Sequence, residues 1–334
     1  MIEVSTVLNS MNARIPRRRD VAAIITAALK AADPCASVAA NISVEGNVIQ
    51  IGATKYSLTP KSRLIVIALG KAAPSMLNGA RSILGARVRE GVCISKVEVE
   101  KEIQVKGINY LKGNHPVPGE GSLAAGKKIK RVLHGLNSDD LVLLLLSGGG
   151  SSLATLPVEG VSLGDMQQLT NALLRSGADI NEMNAVRKHL DLVKGGGLLR
   201  MALPARVAVL VLSDVVGSPL DVIASGPAYP DNSTFTNAFD VVRKTEKSSE
   251  IPFSIHAHLE KGTQGLIPET VKSGDVIADS ASTTIIGSNL ESCKAAIQKA
   301  IEIGFSAEMV TTELTGEASE VGRRLSLNAR QRVD

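Results

Sequence analysis

At 334 residues and 44% hydrophobic side chains the chain is long enough for a substantial core, with two domains as the soft expectation, and its net charge of +4 is too mild and dispersed for a nucleic-acid surface. Aromatic residues are 2% with no tryptophan, so the core is aliphatic and stacking platforms for single-stranded nucleic acid are excluded. No apolar run approaches the roughly 20 residues that span a bilayer, so no membrane association is expected.

Cys35, Cys93 and Cys293 are odd in number, far apart and outside any metal spacing, which points to a reducing compartment and a cytoplasmic protein. Residues 1–19 contain no apolar signal core and read as a poorly ordered segment. Arg14, Arg17, Arg18 and Arg19 against the single Glu3 also fit a mitochondrial transit peptide.

Asp20 predicts the cap of a helix over 21–32, with Val21, Ile24, Ile25, Ala28 and Leu29 on one face. Residues 42–51 read as a hairpin turning at Gly46 and Asn47. Strands are expected at 63–69, 92–94 and 108–111, with helices over 73–84 and from Ser122 to about residue 133. Ser162 with Asp165, and Asp179 with Glu182, have the spacing of capping boxes that open two helices. A buried strand follows at 206–212, then a structured loop to 231 and helices over 236–244 and 254–261. Strands at 283–286 and 307–311, a helix to about 303 and a last helix over 317–328 complete the pattern. Strands alternating with helices imply an α/β fold: a doubly wound parallel, Rossmann-like sheet over 20–232 and the start of a second α/β domain over 233–334.

The most informative stretch is DLVLLLLSGGGSS at 140–152. Its six aliphatic residues read as a strand buried on both faces. Ser147, Gly148, Gly149, Gly150, Ser151 and Ser152 then turn the backbone and offer N–H and hydroxyl groups suited to an anion, above all phosphate. Lys71, Ser147, Asp214 and Asn289 each stand where a predicted strand gives out. In a parallel sheet those ends share one edge. The set suits phosphoryl transfer, in which catalysis is positioning and charge neutralisation. Lys71 would neutralise phosphate oxygens. Asp214 would hold a divalent metal or take the proton of a substrate hydroxyl. Arg187, Lys188 and Lys194 would clamp a carboxylate or phosphate. His115, ahead of Pro116, reads as structural.

Two nucleotide-binding motifs are excluded. The near match to a phosphate loop at 121–128 ends in Lys128 rather than Ser or Thr and lies inside a helix. The dinucleotide fingerprint lacks its third glycine, with Leu153 in that place.

GKA at 70–72, GNHPVPG at 113–119, LLSGGGSSL at 145–153, NAVRKHLDLVKGGGL at 184–198, LSDVVGSPLDVIASGPAYPD at 212–231 and TELTGEA at 312–318 together resemble the type-2 glycerate kinases, the glycerate 2-kinase family with a MOFRL domain. The resemblance runs from about residue 20 to 324. It implies an ATP- and Mg²⁺-dependent kinase for D-glycerate that yields phosphoglycerate and ADP, with a cleft between two α/β domains. Lys71 corresponds to the family's catalytic lysine. The glycine-serine loop and the segments around Arg187 and Asp214 line the cleft, and Asn114 of the GNHPVPG motif is counted with them. A homodimer is compatible with this reading. Family members continue into a domain with GGET and GRGGRNQE motifs that supply another catalytic arginine, and neither motif occurs here. The chain therefore reads as a truncated kinase. The alternative is an isoform that binds ligand or regulates without transferring phosphate. A sugar-phosphate enzyme using the same loop is a weaker third reading.

Overall fold

The structure, a computed structural model, describes residues 3–246 and 250–331. Along the chain come helices α1 (Val4–Ser10), α2 (Arg18–Ala31) and α3 (Pro34–Ala40), then strands β1 (Ile42–Glu45), β2 (Val48–Ile51), β3 (Thr54–Ser57) and β4 (Leu64–Leu69). Next are α4 (Ala73–Leu84), β5 (Glu90–Ser95), β6 (Ile108–Lys112), α5 (Glu120–Val132), β7 (Leu141–Ser147) and the single turn α6 (Gly150–Leu153). Helices α7 (Leu163–Ser176), α8 (Ile180–His189) and α9 (Gly197–Ala202) lead to β8 (Arg206–Leu212). Helices α10 (Phe235–Thr245) and α11 (Phe253–Thr263), strand β9 (Ala281–Gly287), and helices α12 (Asn289–Glu302) and α13 (Ala318–Gln331) complete the order.

Residues 31–288 form one compact unit, and residues 1–30 with 289–334 form another. The boundary expected near residue 232 falls inside the larger unit, because β9 pairs in parallel with β8 and extends the same sheet.

In the larger unit the described strands make a three-stranded antiparallel sheet, β1-β2-β3, and a six-stranded parallel sheet in the order β6-β5-β4-β7-β8-β9. Counting only parallel strands, this is the 3-2-1-4-5-6 order of a doubly wound nucleotide-binding fold. Its strands run continuously apolar because both faces are covered. Ile65, Ile67, Val142, Leu144, Val207 and Val209 face one way, under Ala125 and Ile129 of α5 and Leu198 and Leu199 of α9. Val66, Ala68, Leu143, Leu145 and Leu210 face the other, under Val38 of α3, Met76 and Leu77 of α4, and Ile49 and Ile51 of β2. Helices α7, α8, α10 and α11 form a third cluster around Leu169, Val186, Val242, Ile255 and Leu259. Both predicted capping boxes are present, Ser162 with Asp165 and Asp179 with Glu182.

In the smaller unit the structure departs from expectation. Residues 4–10, expected to lack order, form α1, where Ser10 Oγ donates to Val7 O at 2.7 Å. Helix α2 starts at Arg18, so Asp20 sits in its first turn and pairs with Arg17 at 2.7 Å rather than capping. Its buried positions are Ala22 and Thr26, one i,i+4 stripe of small residues, while Ile25 and Leu29 are exposed. Arg17 also stacks over the Phe305 ring at 3.8 Å. Residues 307–311 form no strand: they pair with no described strand, and Met309 and Val310 are exposed. Among the described residues no single helix is long and apolar enough to cross a membrane.

Candidate functional site

The strand order reverses between β4 and β7, and the crevice beyond the carboxyl ends of these strands is where such sheets bind ligands. Two loops meet there. Lys71 N donates to Gly148 O at 2.9 Å, and Ala72 N donates to Ser147 Oγ at 3.0 Å. Ser147 is buried, so its hydroxyl fastens the GKA turn to the glycine loop instead of lining the crevice as a ligand group.

Gly149 adopts a left-handed conformation (φ 85°), which glycine occupies without steric cost. Among the described residues no carbonyl accepts from the N–H groups of Gly148, Gly149, Gly150 or Ser151. Backbone donors left without a carbonyl partner in this way suit an anion.

The charged side chains close over this loop. Lys71 is exposed and runs along Gly149: a Cβ there would lie 3.2 Å from Lys71 Cε and 3.3 Å from His115 Cδ2. Burial, then the neighbouring Lys71 and Lys96, push the His115 imidazole below its ordinary value, which keeps it neutral at pH 7. His115, read from the sequence as structural, therefore borders the lysine. Asp214 at the end of β8 is exposed and sets its carboxylate against Gly148; among the described residues nothing donates a hydrogen bond to it. Asn114 is also exposed. Its backbone N–H donates to Ser122 Oγ at 2.9 Å and its carboxamide packs on Gly119, so here it shapes the start of α5.

Behind the loop, Ser151 Oγ lies 2.7 Å from Ser225 Oγ, and Ser225 Oγ donates to Asn184 Oδ1 at 2.8 Å. Ala224 (φ 52°) and Ser225 (φ 61°) are both left-handed, a conformation that costs a non-glycine residue about 1–2 kcal/mol. Ser152 Oγ donates back to Gly149 O, at 3.4 Å. Ser225 and Asn184 were not legible as site residues. Their one signal is polarity inside otherwise buried segments, and two serines 74 positions apart show no spacing that links them.

Three basic residues from α8 and the following loop separate sharply. Arg187 is half-buried and no described protein acceptor reaches its guanidinium; burial lowers its pKa, and nearby Asp191 offsets that only in part. Lys188 is buried and paired with Asp231 at 3.1 Å and Asp221 at 3.4 Å. Lys194 is buried against Asp191 and donates to Ala154 O at 3.2 Å. Asp191 also accepts from Thr155 Oγ1 at 2.5 Å and Val193 N at 2.9 Å. Lys194, expected to bind phosphate, is instead the counter-ion of a buried carboxylate, and Lys188 likewise. Asn289 opens α12 in the smaller unit, where its Nδ2 donates to Thr312 O at 3.0 Å.

The family described as a domain of unknown function, DUF4147, matches residues 20–260. The chain belongs to that family. Its similarity to a glycerate 2-kinase of Pyrococcus horikoshii is 38% identity over 299 residues, which is 90% of this chain and 66% of that one. A D-glycerate 2-kinase of Thermotoga maritima is 43% identical over 261 residues, 78% of this chain and 59% of the relative. The crystal structure of a glycerate kinase from Thermotoga maritima superposes with a TM-score of 0.76 at 38% identity, covering 91% of this chain and 66% of that one. The motif resemblance to the glycerate 2-kinase family is thereby shown. The chain spans about two thirds or less of the length of these curated relatives. The DUF4147 region holds Lys71, the glycine-serine loop, Arg187 and Asp214, and leaves Asn289 outside.

Proposed function

We propose that the chain carries the phosphate-binding part of a glycerate kinase, which transfers the terminal phosphoryl group of ATP to a hydroxyl of D-glycerate. The observation that carries this reading is a lysine with no carboxylate partner among the described residues, lying beside Gly149 of the glycine loop at the sheet's switch point. A loose phosphoryl-transfer transition state spreads negative charge over the equatorial oxygens. Fixed donors and a cation already aimed at that charge stabilise it without reorganising. The amides of Gly148, Gly149, Gly150 and Ser151 would hold phosphate oxygens, and Lys71 would neutralise them. Neutral His115 adds no competing charge beside Lys71. Arg187, a half-buried cation without a protein acceptor among the described residues, suits the glycerate carboxylate.

Asp214 would take the proton of the attacking hydroxyl or hold Mg²⁺. Among the described residues no group of three His, Cys, Asp or Glu side chains could cage a metal. One exposed carboxylate with free lone pairs nevertheless fits an ion bound mainly through phosphates and water. Such an ion, when bound, would neutralise charge on the transferring group. A reducing, cytoplasmic setting is part of the reading, supported by three unpaired cysteines.

The test is ATP-dependent phosphorylation of D-glycerate by the full chain, with the product's position read by phosphorus NMR. Turnover supports the reading. A folded sample that neither binds nor phosphorylates D-glycerate overturns it for this chain.

A further inference from the structure

The hydrogen-bonded chain behind the glycine loop has a direction. Ser225 has one hydroxyl proton, which goes to Asn184 Oδ1, 2.8 Å away. The 2.7 Å contact between the two serine hydroxyls is then a bond only if Ser151 donates to Ser225. Ser151 is half-buried, whereas Ser225 and Asn184 are buried, so Ser151 is the end of the chain nearest solvent. With its proton directed inward, it presents lone pairs outward. Asn184 Nδ2, which would supply the opposite polarity, is buried and meets no partner among the described residues.

We propose that Ser151 is a hydrogen-bond acceptor for a hydroxyl of the substrate, with Ser225 and Asn184 as positioning residues that fix its polarity. The ligand class is a small hydroxy acid or polyol. The identity of that ligand as D-glycerate rests on the kinase reading; the direction of the chain does not. A donor-only loop would hold phosphate and leave the acceptor molecule unselected. An acceptor within the loop rejects an analogue that lacks the matching hydroxyl, because Ser151 would then be left unpaired.

The test uses the full chain and two readouts: calorimetric binding of D-glycerate, and kinetics with D-glycerate, D-lactate and 3-hydroxypropanoate. Ser225→Ala frees the Ser151 proton to turn outward. It is expected to weaken D-glycerate about tenfold, the equivalent of one lost hydrogen bond. It is also expected to erase the preference over the deoxy analogue and to leave the KM for ATP unchanged. Asn184→Asp keeps an acceptor facing Ser225 and stays near wild type, whereas Asn184→Leu matches Ser225→Ala. Should Ser225→Ala fail to fold, Ser151→Ala carries the same expectation, a weaker D-glycerate with ATP unaffected.

Two outcomes overturn the proposal: Asn184→Asp as damaging as Asn184→Leu, or an effect on ATP and not on the hydroxy acid. If the wild-type chain neither binds nor turns over D-glycerate, it is the kinase reading that fails. The Asn184→Asp and Asn184→Leu contrast must then appear in binding of glycerol, D-lactate or tartronate, and its absence from all three overturns the proposal.

Discussion

The carboxylate of Asp214 lies so close to Gly148 that a Cβ added to the glycine would stand 1.8 Å from Asp214 Oδ2. This contact joins the end of β8 to the loop after β7, and only a residue without a side chain permits it. Gly148→Ala would therefore displace the Asp214 carboxylate. Displacements of about 1 Å at a reacting centre cost on the order of 10²-fold in rate. Expected is a fall of that size in kcat/KM with little change in thermal midpoint, since Asp214 is exposed and Gly148 is not left-handed. Unchanged kinetics in a folded Gly148→Ala protein would remove Asp214 from the chemistry.

Lys71 offers a cleaner separation of activity from fold. It is exposed, and no described carboxylate pairs with it. Lys71→Ala should leave the unfolding curve in place while phosphoryl transfer falls by roughly 10²–10³, the scale for removing one preorganised charge-stabilising group. Turnover within a factor of about two of wild type would assign the charge neutralisation to another group.

Strands β4, β7 and β8 were legible because each is apolar on both faces; Ser147 ends β7, and Lys71 and Asp214 stand two residues beyond β4 and β8. The parallel arrangement then carries the three to one edge of the sheet. Strand β3, TKYS, was not legible, for Tyr56 is its single large apolar residue and four residues are too few to establish a period. The segment at 307–311 has a strand-like composition, but a strand without a pairing partner gains no ladder. Lys188 and Lys194 read as a cationic clamp because their partners are invisible in one dimension: Asp221 and Asp231 lie 33 and 43 positions from Lys188. Burial turned those ammonium groups from candidate ligands into counter-ions.

The Lys194 pair is accordingly a matter of stability. Lys194→Ala would leave Asp191 buried without its cation, and breaking such a pair from one side costs about 3–5 kcal/mol. Chemical denaturation should show a loss of that order, with weakened D-glycerate binding appearing only where unfolding begins. Wild-type stability together with weakened substrate binding would return Lys194 to the site.

The last prediction concerns acid. Burial alone would push the Glu269 carboxyl up, but hydrogen bonds from His189 Nε2 at 2.9 Å and Phe235 N at 2.8 Å, with Lys272 nearby, bring it down to about 2 from an ordinary 4.5. A carboxyl whose pKa is lower folded than unfolded stabilises the fold above the unfolded value, because the unfolded chain binds the proton first as pH falls. The contribution is complete above about pH 4.5 and is lost progressively as pH falls toward 2. Glu269 is partly exposed, so solvent screening shrinks the effect, and direction rather than size is the test. Urea unfolding between pH 6 and 2 should show a steeper decline for wild type than for Glu269→Gln, which has no proton to bind in this range. Identical slopes would mean that the His189 contact does not hold Glu269 ionised in the folded chain.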